Sequence, residues 1–141
     1  MISITKEVYD AVIRAFTENE PECGGILGAA PGQAITHFYF DKTGTSTAWS
    51  YTPDCEAVNT MLLKEWAPAG VQMVGIIHSH SNAGDFPSCG DLHYAVQILR
   101  AASLTELLLP IVTLTPVHIW PYRVRLTGDK PAVTAEMLHI L

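Results

Sequence analysis

Val71-Gln72-Met73-Val74-Gly75-Ile76-Ile77-His78-Ser79-His80 is a nearly continuous apolar run that ends in two histidines. It is too short to cross a bilayer, which takes roughly 20 apolar residues in a helix. A half-exposed strand alternates apolar with polar residues, whereas a strand covered on both faces reads apolar throughout, so Val71 to Ile77 is expected as an interior strand. Such a strand needs a packed layer on each side. Side chains along it alternate with a period of two, so His78 and His80 leave the strand end on the same face, where both imidazoles can reach one ion.

Working outward, Ser81 to Pro87 is expected as loop, and a helix starts just after Ser88 with Leu92, Ala95, Val96 and Leu99 on one stripe. Upstream, Asp54 to Ala67 carries Val58, Met61, Leu62 and Trp66 at helical spacing, closed by Pro68 and Gly70. Asp41 to Pro53 is rich in Thr, Ser and Gly and reads as loop. Cys23 to Ala30, the turn pair Pro31-Gly32, and Ala34 to Phe40 read as an antiparallel hairpin whose glycines permit close backbone approach. A short apolar start precedes a helix from Lys6 to Thr17, N-capped by Thr5, with Val8, Ala11, Val12 and Ala15 inward and Pro21 beyond its end. Downstream, Leu107 to Leu114 and Val117 to Leu126 read as two strands interrupted by prolines, and Thr134 to Leu141 as a terminal helix or strand. Strands alternating with helices, with at least one antiparallel pair, predict a mixed sheet sandwiched by helices.

The 141 residues, 48% of them hydrophobic, suffice for one packed core, and a single domain over 1–141 is expected. Fourteen acidic against eight basic residues give a net charge of -6, with the basic residues scattered; this lacks the cationic footprint of a nucleic-acid binder. Cys23, Cys55 and Cys89 are odd in number and show no paired spacing, which suits free thiols in a reducing compartment. With no basic leader before an apolar stretch and no membrane-length segment, a cytoplasmic protein is expected.

The chemistry concentrates at His78, His80 and the carboxylate of Asp91. Three ligands of these types leave a fourth zinc position for water, which separates catalytic from structural zinc, and a water so bound has a pKa near 7. Amide hydrolysis also needs a base to carry a proton from water to the leaving nitrogen, and Glu22, just before Cys23-Gly24-Gly25-Ile26-Leu27-Gly28, is the candidate. Ser88 is placed to donate to an oxyanion, a role comparable to one oxyanion-hole donor, on the order of 3 kcal/mol. Ordinary readings stand beside these: Ser88-x-x-Asp91 is also a capping box, and Glu22 also closes an acidic cluster with Glu18 and Glu20. Cys89 reads as a small helix-start residue, His93, two residues beyond Asp91 on the new helix, should point elsewhere, and His37, His118 and His139 lack partner spacing. Trp49, Tyr51 and Phe86 flank the expected site loops.

Glu22-Cys23-Gly24-Gly25-Ile26-Leu27, His78-Ser79-His80 and Ser88-Cys89-Gly90-Asp91 together resemble the signature of the JAMM (MPN-plus) metalloproteases, in the prokaryotic JAB branch. Cys23 stands where that family often has Thr, Ser81 where a proline often follows His-x-His, and Gly28-Ala29 where an aliphatic residue and Gly are usual. The resemblance implies an α-β-α sandwich similar to the cytidine deaminase core. It also implies one zinc per chain on His78, His80 and Asp91, with Glu22 as base and Ser88 at the oxyanion. The implied reaction is cleavage after the C-terminal glycines of a ubiquitin-like or sulfur-carrier protein. A non-catalytic MPN-type interaction module is the alternative. A nucleobase deaminase would need His-x-Glu and Pro-Cys-x-x-Cys, which this chain lacks.

Overall fold

The computed structural model describes residues 1–46, 51–81 and 84–141. The apolar run forms the long interior strand β6 (Gln72–His80), which continues through both histidines and is buried from Gly75 onward. Elements preceding it are β1 (Ile2–Ile4), α1 (Lys6–Glu18), β2 (Gly24–Ala29), β3 (His37–Phe40), β4 (Thr45–Ser46), β5 (Tyr51–Thr52) and α2 (Cys55–Met61). After it come α3 (Cys89–Ala101), β7 (Glu106–Leu108), β8 (Ile111–Thr113), β9 (His118–Trp120), β10 (Tyr122–Thr127), β11 (Lys130–Ala135) and β12 (Leu138–Ile140).

The main sheet runs β11-β10-β7-β6-β2-β3, with β8 also on β6 and β9 on β8. It is mixed: β6 is antiparallel to β2 and parallel to β7 and β8. Alternation along the strands sends Leu27 and Ile77 to one face and Ile26 and Ile76 to the other. On the first face pack Val8, Val12 and Phe16 of α1; on the second, Val58 and Met61 of α2, Trp66 beyond it, and Ala95 and Leu99 of α3. The result is the expected three-layer α-β-α sandwich, with an open sheet.

Several details differ from the sequence reading for identifiable reasons. The buried stripe of α1 is Val8, Val12 and Phe16, with Ala11 and Ala15 only half buried, because the larger rings and branched chains fill the space first. Thr5 does cap this helix, accepting from the Val8 amide at 3.3 Å. Beyond Met61, α2 widens into a π turn over Leu62–Trp66 and tightens over Ala67–Ala69, since Pro68 has no N–H to give to the ladder and its ring crowds the preceding turn. Pro110 splits the expected strand 107–114 into β7 and β8, and Pro121 splits 117–126 into β9 and β10, by the same missing donor. The expected loop 41–53 contains the short β4–β5 ladder. The terminal segment is strand: β11 pairs with β10, and β12 lies parallel to β1, the short apolar start.

Candidate metal centre

Antiparallel register sets the site. Gly24 lies opposite His78, Ser79 N–H donates to the Cys23 carbonyl at 2.9 Å, and Cys23 N–H donates to Ser79 Oγ at 3.1 Å. Those two bonds fasten the chain just after Glu22 to the residue between the histidines. Glu22 consequently sits beside the end of β6, buried, with its carboxylate hydrogen-bonded by the Ser81 backbone amide. Burial raises its pKa above the ordinary carboxylate value, partly opposed by His80 and His78.

His78 and His80 are both buried, and their Nε2 atoms lie 3.0 Å apart. Asp91, in the first turn of α3, brings Oδ1 to 3.1 Å from His78 Nε2 and Oδ2 to 3.0 Å from His80 Nε2. The capping box that the sequence suggested is what aims it: the Ser88 amide donates to Asp91 Oδ2 at 2.8 Å, and the Asp91 amide donates to Ser88 Oγ at 3.1 Å. Burial works against the charge on Asp91, but the hydrogen bonds to His78 and His80 prevail and hold its carboxyl well below the usual range. Burial likewise works against a charged His80, and the bonds to Asp91 and to the Gly84 carbonyl outweigh it, raising that pKa.

His80 Nδ1 lies 3.0 Å from the Gly84 carbonyl, which can only accept, so Nδ1 carries the proton and neutral His80 presents a lone pair at Nε2. That lone pair meets a carboxylate oxygen and a second imidazole nitrogen. A proton relieves one such contact; a cation among them satisfies all three. The described residues form one such group, with ligand atoms all within 4.8 Å of one another. Donors around tetrahedral zinc lie about 3.3 Å apart, a few tenths of an ångström more than the 3.0–3.1 Å seen here. Two imidazoles and one carboxylate, with one ring fixed by a backbone carbonyl, fit a metal ion with an open position.

Glu22, His78, His80, Ser88 and Asp91 line a single cleft of about 290 Å³, so the structure gathers all five residues singled out in the sequence. Its walls include Ile76, Tyr51, Tyr94 and Leu109. Of these only Tyr51 had been noted, as a residue flanking the site. The Tyr51 hydroxyl donates to buried Asp41 at 2.8 Å, and a Cβ on Gly24 would come within 2.3 Å of its ring, so glycine there is what admits the ring. Burial, then Asp41, pushes the Tyr51 phenol well up; burial and Cys55 push Tyr94 up to about 12, so both wall phenols stay neutral. No local signal in the sequence marks Asp41, whose carboxylate accepts from the Tyr51 hydroxyl in β5 and from the Asp54 amide at the start of α2. Phe86 sets its ring edge-on against Tyr122 and is not among the cleft-lining residues, and Trp49 lies outside the described residues. The free thiols Cys55 and Cys89 are exposed, and Cys23 is buried.

The chain is thus an α-β-α sandwich with two histidines and an aspartate, a group that could hold a metal ion, in one cleft. The chain belongs to the family of prokaryotic homologs of the JAB domain, whose sequence pattern matches residues 5–131. It is similar in fold to a protein from Desulfitobacterium hafniense known by its solution structure, with 22% identity, TM-score 0.74, and coverage of 100% of this chain and 93% of that one. A crystal structure of a JAB1/MPN domain protein from Archaeoglobus fulgidus is also similar, with 14% identity, TM-score 0.58, and coverage of 99% and 97%. No curated protein matches the chain. Among the described residues, no helix is long and apolar enough to cross a membrane.

Proposed function

We propose that this single domain is a zinc-dependent peptidase or isopeptidase that cuts after the C-terminal glycines of a ubiquitin-like or sulfur-carrier protein. The observation that carries the reading is the convergence of Glu22, His78, His80, Ser88 and Asp91 on one cleft. His78, His80 and Asp91 hold the ion, which when bound supplies Lewis acidity toward a carbonyl and acidifies water. Glu22 is the base: buried, with a raised pKa, it takes a proton from the attacking water and returns it to the leaving nitrogen as the carbon–nitrogen bond breaks. Ser88 Oγ accepts from the Asp91 amide, so its own hydroxyl proton is free to be donated to the carbonyl oxygen as negative charge develops there. The neutral phenols of Tyr51 and Tyr94 and the side chain of Leu109 are the walls along which the Gly-Gly tail would lie. Three unpaired thiols fit a reducing, cytoplasmic setting.

The test is cleavage of a fusion joined through a Gly-Gly tail, by purified protein supplied with zinc. Wild type should cut after the second glycine, while Glu22→Ala should bind zinc and leave the fusion whole. Turnover by Glu22→Ala at the wild-type rate would remove the proposed base. A wild-type protein that binds zinc and the Gly-Gly protein without cutting it would instead be the non-catalytic MPN-type module.

A further inference from the structure

The Gly84 carbonyl that bonds His80 belongs to a segment anchored by β10, two strands from β6 in the sheet. Tyr122, buried at the start of β10, donates its hydroxyl to the Asp85 carbonyl at 2.7 Å. Phe86, half exposed, sets its ring edge-on against Tyr122 with centroids 5.3 Å apart. Tyr122 is itself tied to the cleft, because its carbonyl accepts from the amide of Leu109 at 2.8 Å, and Leu109 is one of the cleft walls. A continuous path therefore runs from the sheet through Tyr122 and the Asp85 carbonyl to Gly84 and the Nδ1 of His80. Gly84 has φ +82, a conformation that side-chain-bearing residues rarely adopt, and a Cβ added there would meet nothing within 4 Å.

We infer that Tyr122 is a positioning residue for the metal centre: by holding Asp85 and Phe86 it keeps the Gly84 carbonyl on His80 Nδ1, which fixes the tautomer that turns the Nε2 lone pair toward His78 and Asp91. This rests on the metal reading of the cleft. Backbone and carboxylate partners of ligand imidazoles set ring orientation and basicity, and losing one lowers metal affinity roughly 10- to 100-fold. Tyr122 lies two strands from β6, and its hydroxyl bonds the Asp85 carbonyl, so loss of the hydroxyl alone acts through the 84–86 segment and leaves the backbone bond to Leu109 in place.

Tyr122→Phe keeps the ring packing and removes only the donor. Zinc affinity, measured by chelator competition, should fall about tenfold or more, while the metal-free protein melts close to wild type. Imidazole NMR of the metal-free protein, at a pH well above the imidazole range, should show His80 as the Nδ1–H tautomer in wild type and as a mixture in Tyr122→Phe. Gly84→Ala acts on the same path without touching the core and should cause a similar loss of zinc affinity, and the double variant should lose less than the two losses combined. Should Tyr122→Phe fail to fold, Phe86→Ala, at a half-exposed ring, loosens the same segment from Tyr122 and decides instead: wild-type zinc affinity and an unmixed tautomer there would overturn the linkage. Wild-type zinc affinity and an unmixed tautomer in these variants, or fully additive losses, would overturn the linkage. A wild type that takes up no zinc overturns the metal reading, and the tautomer measurement then still judges the linkage.

Discussion

Gly24 lies directly opposite His78 in the antiparallel pair of β2 and β6, and this one pairing brings the two halves of the site together across 54 positions of sequence. With Gly24 on His78, Cys23 meets Ser79, and Glu22 reaches the end of the strand where His80 emerges. A slip of one residue would turn every side chain of β2 to the opposite face and take Leu27 and Ile26 out of their own core clusters. The packing that stabilises the sandwich thus also fixes the site.

Gly24→Ala should be costly, because the new Cβ would lie 2.3 Å from the Tyr51 ring, which Asp41 holds by its hydroxyl. Overpacking of this kind costs about 1–3 kcal/mol. Denaturant melts of Gly24→Ala, Tyr51→Ala and the double variant should show a double cost smaller than the sum, since removing the ring removes the clash. Strict additivity would mean that the ring and the glycine do not constrain one another.

Metal removal should be visible in stability before any substrate is found. Zinc that binds the folded chain alone stabilises it by about 2.7 kcal/mol at a free concentration a hundred times Kd. A chelator should lower the melting temperature, zinc should restore it, and His78→Ala should abolish the difference. Identical melts with and without metal in wild type would reject the centre.

The sequence made the interior strand legible because an unbroken apolar run leaves few alternatives, and it made the candidate metal-binding group legible because His-x-His and a helix-start carboxylate are local patterns. Ser88 and Asp91 were read both as a cap and as site residues, and the capping box that forms is what aims Asp91 at the histidines. Strand breaks at Pro110 and Pro121 were marked by the prolines themselves. What escaped is non-local: Asp41 holding Tyr51, Tyr94 and Leu109 as walls, and Phe16 outranking Ala15 on α1 depend on which distant surfaces meet. Periodicity within one element carries no record of that.

Stability should fall in acid partly through Asp54, the N-cap of α2, whose carboxyl is lowered first by the Thr43 hydroxyl and then by the Ala57 amide. A lowered folded pKa means that the ionised form is favoured by folding. Its contribution is complete above the unfolded value of about 3.9 and disappears as pH falls through the lower, folded value. Asp54→Asn keeps a capping oxygen without the titration. Its melting temperature should decline less than that of wild type between pH 5 and about 2, and parallel curves would remove Asp54 from the acid response.

Ser88 is a helix cap and the proposed oxyanion donor, two roles that a single substitution can separate. Its Oγ accepts the Asp91 amide as a helix cap, which leaves the hydroxyl proton to be donated, and Ser88 lines the cleft. Alanine would remove both, at about 1 kcal/mol for the cap alone. Glycine is tolerated at an N-cap at a cost of only a few tenths of a kcal/mol, yet it donates nothing from a side chain. Ser88→Gly should therefore melt near wild type and bind zinc through an intact His78, His80 and Asp91 set. Its kcat toward a Gly-Gly fusion should nevertheless fall by about 10²–10³, the loss typical of one oxyanion donor, with KM little changed because the donation strengthens only as charge develops. If Ser88→Gly turns over like wild type, Ser88 is a helix cap and nothing more, and the charge on the oxyanion must be met elsewhere in the cleft. If KM rises while kcat holds, the hydroxyl binds the ground-state carbonyl instead of the transition state.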